Sequence, residues 1–125
     1  MWTYTQVSGD IGHEGEHVGY GYAGDKDHPE GKNNPAMQSV HNIGPLPCGL
    51  YDMNPPVDTN THGPYVIWLT PHPENEMYGR SAFGIHGDSL VEPGNASEGC
   101  IATGPVTRRN MWNSGDHLLR VISGV

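Results

Sequence analysis

Between Pro64 and Pro71 the chain reads P-Y-V-I-W-L-T-P, and this run narrows the available folds more than any other stretch. Tyr, Val, Ile, Trp and Leu favour extended backbone, they follow one another without a break, and a proline at either end stops the element from growing. The run reads as a central, buried β-strand. Its companions are short and punctuated in the same manner, since the chain carries Gly 18 and Pro 11, both above the usual share. A proline-interrupted approach feeds a strand at about 50–53, which Pro55 and Pro56 end. S-A-F-G-I-H-G-D at 81–88 reads as a short strand running into a turn, E-G-C-I-A-T at 98–103 as a turn entering another, and H-L-L-R-V-I at 117–122 as a terminal strand. Pro105 suits the first helical position, so P-V-T-R-R-N-M-W at 105–112 is the best helix candidate. Ala23 to Gln38 is polar and turn-rich and reads as a loop, with room for one helical turn after Pro35. The expectation is a mainly β fold, a sandwich or barrel with one or two short helices, in one domain over residues 1–125.

His13, Glu14, Gly15, Glu16 and His17 spell the H-E-x-x-H string of zinc peptidases. That string has chemistry only on a helix, where positions four apart share a face and two imidazoles meet one metal. Gly9, Gly12, Gly15, Gly19 and Gly21 surround it, and each interior glycine costs a helix about 1 kcal/mol against alanine. The flanking W-T-Y-T-Q-V and H-V-G-Y-G-Y show strand-like alternation instead, so the string reads as the tip of a hairpin over about residues 2–22. The zinc peptidase is kept as an alternative function, but no metal site is assigned.

With 6 basic residues and a net charge of -8, the chain lacks the electrostatic footprint of a nucleic-acid or anionic-membrane binder. No run approaches the roughly 18 apolar residues of a membrane span. The start M-W-T-Y-T-Q has no basic, apolar leader, so synthesis in the cytoplasm without a signal peptide is expected. The cysteines are Cys48 and Cys100, and spacing alone leaves a disulfide and a reactive thiol both open.

The stretch Phe83 to Thr103 holds I-H-G at 85–87 and S-E-G-C-I at 97–101. Cysteine catalysis needs a sulfur nucleophile, a base in reach and N–H donors for the developing oxyanion. His86 and Cys100 supply the first two if two neighbouring strands end on the same side, and Gly99 frees the backbone of the turn. The ordinary alternative is an inert buried cysteine and a surface histidine. Trp2, Trp68 and Trp112 read as core anchors. Glu74, Glu76 and Glu92 read as solvated loop carboxylates, and His28, His41, His62, His72 and His117 as scattered residues that build no site.

The pair of motifs resembles the catalytic signature of the L,D-transpeptidases, in which His-Gly precedes Ser/Thr-x-Gly-Cys and an aliphatic residue. The similarity is closest to the branch that includes the Tlde1 type of interbacterial effector. It extends to W-x-Y-x-Q, G-Y-x-G, K-N-N-P-A-M-Q, G-P-x-P-x-G-x-Y, H-G-P-Y and G-R-S-x-F-x-I-H-G-D, from Trp2 to about Thr103. The resemblance implies an L,D-transpeptidase-like β-sandwich or barrel carrying a cofactor-free cysteine enzyme of peptidoglycan stem peptides. Such an enzyme attacks the L-centre carbonyl of diaminopimelate, expels D-alanine and passes an acyl-thioester to water, a D-amino acid or another stem.

By the same resemblance Cys100 is the nucleophile with a depressed thiol pKa, His86 the base, Gly99 and Cys100 the oxyanion donors, and Ser97 the residue that shapes the turn or orients His86. Arg80, Asp88, Gly87 and Glu98 are the substrate-binding candidates, Arg80 for a carboxylate and Asp88 for an ammonium. Glu98 stands where wall-building relatives have histidine, and Ala102 and Thr103 where they have arginine or asparagine, which favours hydrolysis or exchange over cross-linking. The implied partners are stem peptides, secretion machinery and a cognate immunity protein, with action in the periplasm of a target bacterium. Cys48 occupies a variable position of its motif. A wall-binding domain without chemistry is the non-enzymatic alternative.

Overall fold

The computed structural model describes every residue except Pro29 and Pro93. Ten strands and one α-helix follow in the order β1 (Trp2–Thr5), β2 (Asp10–His13), β3 (Glu16–Tyr20), β4 (Tyr22–Ala23), β5 (Gly49–Met53), β6 (Val57–Thr59), β7 (Gly63–Pro71), β8 (Gly84–His86), β9 (Ile101–Ala102), α1 (Pro105–Asn113) and β10 (Leu118–Ile122). A 3-10 turn at Pro35–Met37 interrupts the long polar loop where a helical turn is expected. The strands join as β3-β2-β1-β10-β5-β7-β8-β9-β4, with β6 on β7, and the path stays open rather than closing into a barrel. No helix among the described residues is long and apolar enough to cross a membrane.

The proline-bounded strand β7 is the hub. Its first residues pair with β6, Ile67 and Trp68 pair with β8, and Leu69 to Pro71 pair with β5. Both prolines sit at its ends, where a missing N–H costs the ladder least. Val66, Ile67 and Leu69 enter the core with Tyr4, Ile11, Tyr51, Ile85, Ile101 and Leu119. Near the two ends of the chain, β1 lies parallel to β10, with Trp2 opposite Leu119 and Tyr4 opposite Val121. All four of those side chains are buried, as period-two alternation requires when one face of a sheet meets the core.

H-E-G-E-H is the tip of a hairpin, as its glycines predict. Glu14 and Gly15 both have positive φ (51° and 84°), the signature of a two-residue turn whose twist matches the strands it joins. The arms, however, differ from those expected: β2 and β3 flank the tip, and W-T-Y-T forms a separate strand paired to β2. The extra reversal passes through Gly9 (φ 76°), where a Cβ would stand 2.0 Å from the Gly21 carbonyl. The zinc-peptidase alternative fails on this geometry, because His13 and His17 never share a helical face. His13 sits 2.9 Å from Asp116, and His17 pairs with Asp10.

Candidate active site

Strands β8 and β9 are neighbours and parallel, with Ile85 opposite Ile101 and His86 opposite Ala102. This register unites the two sequence motifs: His86 ends β8, Cys100 immediately precedes β9, and both line one cavity of about 800 Å³. A bond from the Thr103 N–H to the His86 carbonyl (2.9 Å) extends the pairing beyond the strands.

His86 is buried, and its Nδ1 lies 2.7 Å from the carbonyl of Gly87. A carbonyl only accepts, so Nδ1 carries the proton and Nε2 keeps its lone pair, the tautomer a general base needs. Gly87, expected to touch substrate, thus acts through its carbonyl on His86. Burial holds the His86 pKa below the ordinary imidazole range; His62 and Arg108 push the same way, while the Gly87 carbonyl and Asp88 oppose them.

The sulfur of Cys100 lies 3.8 Å from the carbonyl of Ala82, whose backbone is left-handed (φ 65°). Burial pushes the thiol above its usual pKa, opposed by the Gly84 N–H and the Arg80 guanidinium and reinforced by the Glu98 carboxylate. This is opposite in direction to the depressed thiol pKa expected of a cysteine paired with an imidazolium. With His86 shifted down and Cys100 shifted up, both shifts favour imidazole and thiol over imidazolium and thiolate.

Ser97 is a buried hub for the turn. Its Oγ accepts the N–H groups of Gly24 (2.9 Å) and Gly99 (3.0 Å) and donates to the Cys100 carbonyl (2.6 Å). It shapes the turn and makes no bond to His86. The Gly99 N–H, expected to face an oxyanion, is therefore committed to Ser97, which leaves the Cys100 N–H as the turn's candidate donor. Gly99 has its own steric reason, since at φ 144° a Cβ would meet Arg80 Nη2 at 2.6 Å and Phe83 Cε1 at 2.8 Å. Ser97→Ala strands two buried donors and one acceptor, and a loss of about 1–3 kcal/mol in urea unfolding is expected. A variant as stable as the parent would refute the hub.

Two of the substrate candidates have structural partners. Arg80 is 6% exposed, and its guanidinium donates to the carbonyls of Gln38 (2.7 Å), Pro45 (2.8 Å), Gly44 (2.9 Å) and Glu98 (3.3 Å). With its Nη donors occupied it ties the 38–46 loop to the cysteine turn. Asp88 is not among the residues lining the cavity. Its carboxylate accepts from Tyr22 Oη, the Ser89 N–H and the Gly94 N–H, so it braces the loop that follows β8. Glu98 does line the cavity, with an exposed side chain.

The sequence model of one protein family, the Tlde1 domain, matches residues 18–122. The chain belongs to the Tlde1 domain family. No curated protein and no solved structure matches it significantly. The Tlde1 domain marks a family of type VI secretion effectors, and the matched span contains both β8 and β9 with their two motifs.

Several residues of this Tlde1 domain escape a reading along the chain. His62, from the turn between β6 and β7, and Trp68, from β7, both line the cavity. His62 is no scattered histidine: its ring centroid is 5.1 Å from that of His86 and 5.4 Å from that of Trp68. Its presence in the H-G-P-Y motif was the available signal. Trp2 is in the core as expected, whereas Trp68 is only half-buried. Arg108 of α1 is buried, with Nε on the Tyr65 carbonyl (3.1 Å) and Nη1 on the Thr103 carbonyl, tying the helix to β7 and to the exit of β9. Cys48 and Cys100 are both free thiols on different cavities. Among the described residues, His13, Glu14 and Asp116 have ligand atoms within 4.8 Å of one another, far along the sheet from β8.

Proposed function

We propose that this domain is a cysteine L,D-carboxypeptidase or exchange enzyme acting on peptidoglycan stem peptides. The supporting observation is the parallel β8/β9 pair, which brings a buried, tautomer-fixed imidazole and a cysteine to one cavity. Nε2 of His86 takes the thiol proton as the sulfur attacks the L-centre carbonyl of diaminopimelate in a tetrapeptide stem. The Cys100 N–H receives the developing oxyanion, with the Arg80 charge behind the turn. Collapse breaks the bond to D-alanine, whose nitrogen takes the proton back from His86. Water or a D-amino acid, deprotonated by the same imidazole, then releases the acyl group from sulfur. In this reading the protein acts in the periplasm of a target bacterium after delivery by type VI machinery, and its producer carries an immunity protein.

The shifts set a pH profile. The reaction needs neutral imidazole, so kcat/KM falls only as pH drops through the lowered His86 pKa, an acid limb below the ordinary value of about 6.5. In the free enzyme, alkylation of Cys100 keeps climbing past the ordinary thiol pKa of about 8.5. A plateau of alkylation across neutral pH would reveal a preformed thiolate and overturn the neutral pair. The activity itself is tested by mass spectrometry of purified disaccharide-tetrapeptide after incubation, with and without an added D-amino acid. Loss of one alanine or its exchange is expected; intact substrate under both conditions overturns the assignment.

A further inference from the structure

The lining of the cavity poses a problem of charge. A stem peptide presents a terminal carboxylate next to the scissile bond, yet the described residues that line the cavity include the carboxylates of Asp25, Asp27 and Glu98. Arg80 is the single Lys or Arg among those lining residues, and its Nη donors are held by four carbonyls. His41 has Nε2 on the Tyr78 carbonyl (3.1 Å), and His86 is engaged through Nδ1 and needed as base. Among the ionisable groups of the lining, that leaves His62. Its Nδ1 lies 2.8 Å from Thr61 Oγ1, its backbone N–H donates to Thr59 Oγ1 (2.8 Å), and its ring lies against both Trp68 and His86. The Thr61 hydroxyl can donate to Nδ1, and in that tautomer Nε2 carries the hydrogen and has no protein acceptor among the described residues.

We infer that His62 binds the carboxylate of the residue that leaves, and so makes the site select stems with a free C-terminus. The inference rests on the reaction proposed above. The turn between β6 and β7 holds the ring in place before substrate arrives, and the neighbouring base and carboxylate-binding group lie as close as a scissile amide and its adjacent carboxylate demand.

The test compares wild type with His62→Ala and His62→Gln on two readouts. In the first, disaccharide-tetrapeptide is offered with a free or an amidated C-terminus. His62→Ala is expected to raise KM for the free acid about 10-fold or more, leaving the amide within about twofold, and glutamine, which keeps an uncharged N–H donor group, falls between. The second is the rate of Cys100 alkylation by iodoacetate relative to iodoacetamide, resolved at Cys100 by peptide mass spectrometry. That ratio should fall by a similar factor of about 10 in His62→Ala, because only the anionic reagent loses a partner. A purely structural role would slow both reagents and both substrates alike. Equal KM changes for acid and amide, or an unchanged alkylation ratio, would overturn the inference, and melting temperatures confirm that the glutamine variant is folded. A ratio that falls while wild type leaves tetrapeptide intact would keep the carboxylate site and remove the proposed reaction instead.

Discussion

Under the proposed cysteine mechanism, Cys100→Ala is expected to lower turnover of the tetrapeptide by about a thousandfold or more, because no other thiol lines the cavity among the described residues. The same variant should melt within a few degrees of the parent. The thiol's contact to the Ala82 carbonyl is long, and the turn is held by Ser97, Arg80 and the β8/β9 ladder rather than by sulfur. Cys100→Ser sharpens the result, since a hydroxyl fills the site but is a far weaker nucleophile beside an imidazole with no carboxylate on its Nδ1. Cys48→Ala, on a different cavity, should retain full turnover. Product formation by Cys100→Ala at more than about a tenth of the parental rate would remove the cysteine mechanism altogether.

Arg80→Ala is expected to have the largest effect on stability. Its buried guanidinium satisfies the carbonyls of Gln38, Gly44, Pro45 and Glu98, and alanine would leave these acceptors facing a void. A loss of about 3–5 kcal/mol is the expected size for such a site, against a total near 5–15 kcal/mol for a domain. Arg80→Lys should recover less than half of it, because three donors on one nitrogen cannot span four separated carbonyls. Urea unfolding measures both. A residue that merely clamped substrate would behave in the opposite way, with an unchanged midpoint and a raised KM. A loss below about 1 kcal/mol would therefore return Arg80 to the substrate role that its place in G-R-S-x-F-x-I-H-G-D suggests.

The distinction between these two residues shows what a sequence exposes. Cys100 and His86 are legible as candidates because the proposed chemistry of a nucleophile and a base restricts residue type, and the glycines around them mark the turns that present them. Arg80 and Asp88 flank the same motif and carry charge, which along a chain is indistinguishable from a ligand-binding role. Their actual partners, backbone carbonyls for one and backbone N–H groups with a tyrosine for the other, are supplied by loops tens of residues away or by a turn closing on itself. His62 illustrates the converse: its H-G-P-Y motif is visible along the chain, but only the packing of the β6–β7 turn puts its ring against a histidine of another strand.

Local backbone preference determined a good deal by itself. The proline-bounded strand, the short strands on either side of the two motifs, the helix opened by Pro105 and the hairpin tip at Glu14 and Gly15 all follow from preferences that act over a few residues. Tertiary structure alone decided which of these pieces meet. The parallel β8/β9 register, the pairing of β1 with β10, the assignment of W-T-Y-T to its own strand and the burial of two arginines among carbonyls depend on which apolar faces close on one another. They also depend on which buried polar groups must then find partners. Those demands arise only once water has left the interior, and they are met by whichever donor the packing brings near.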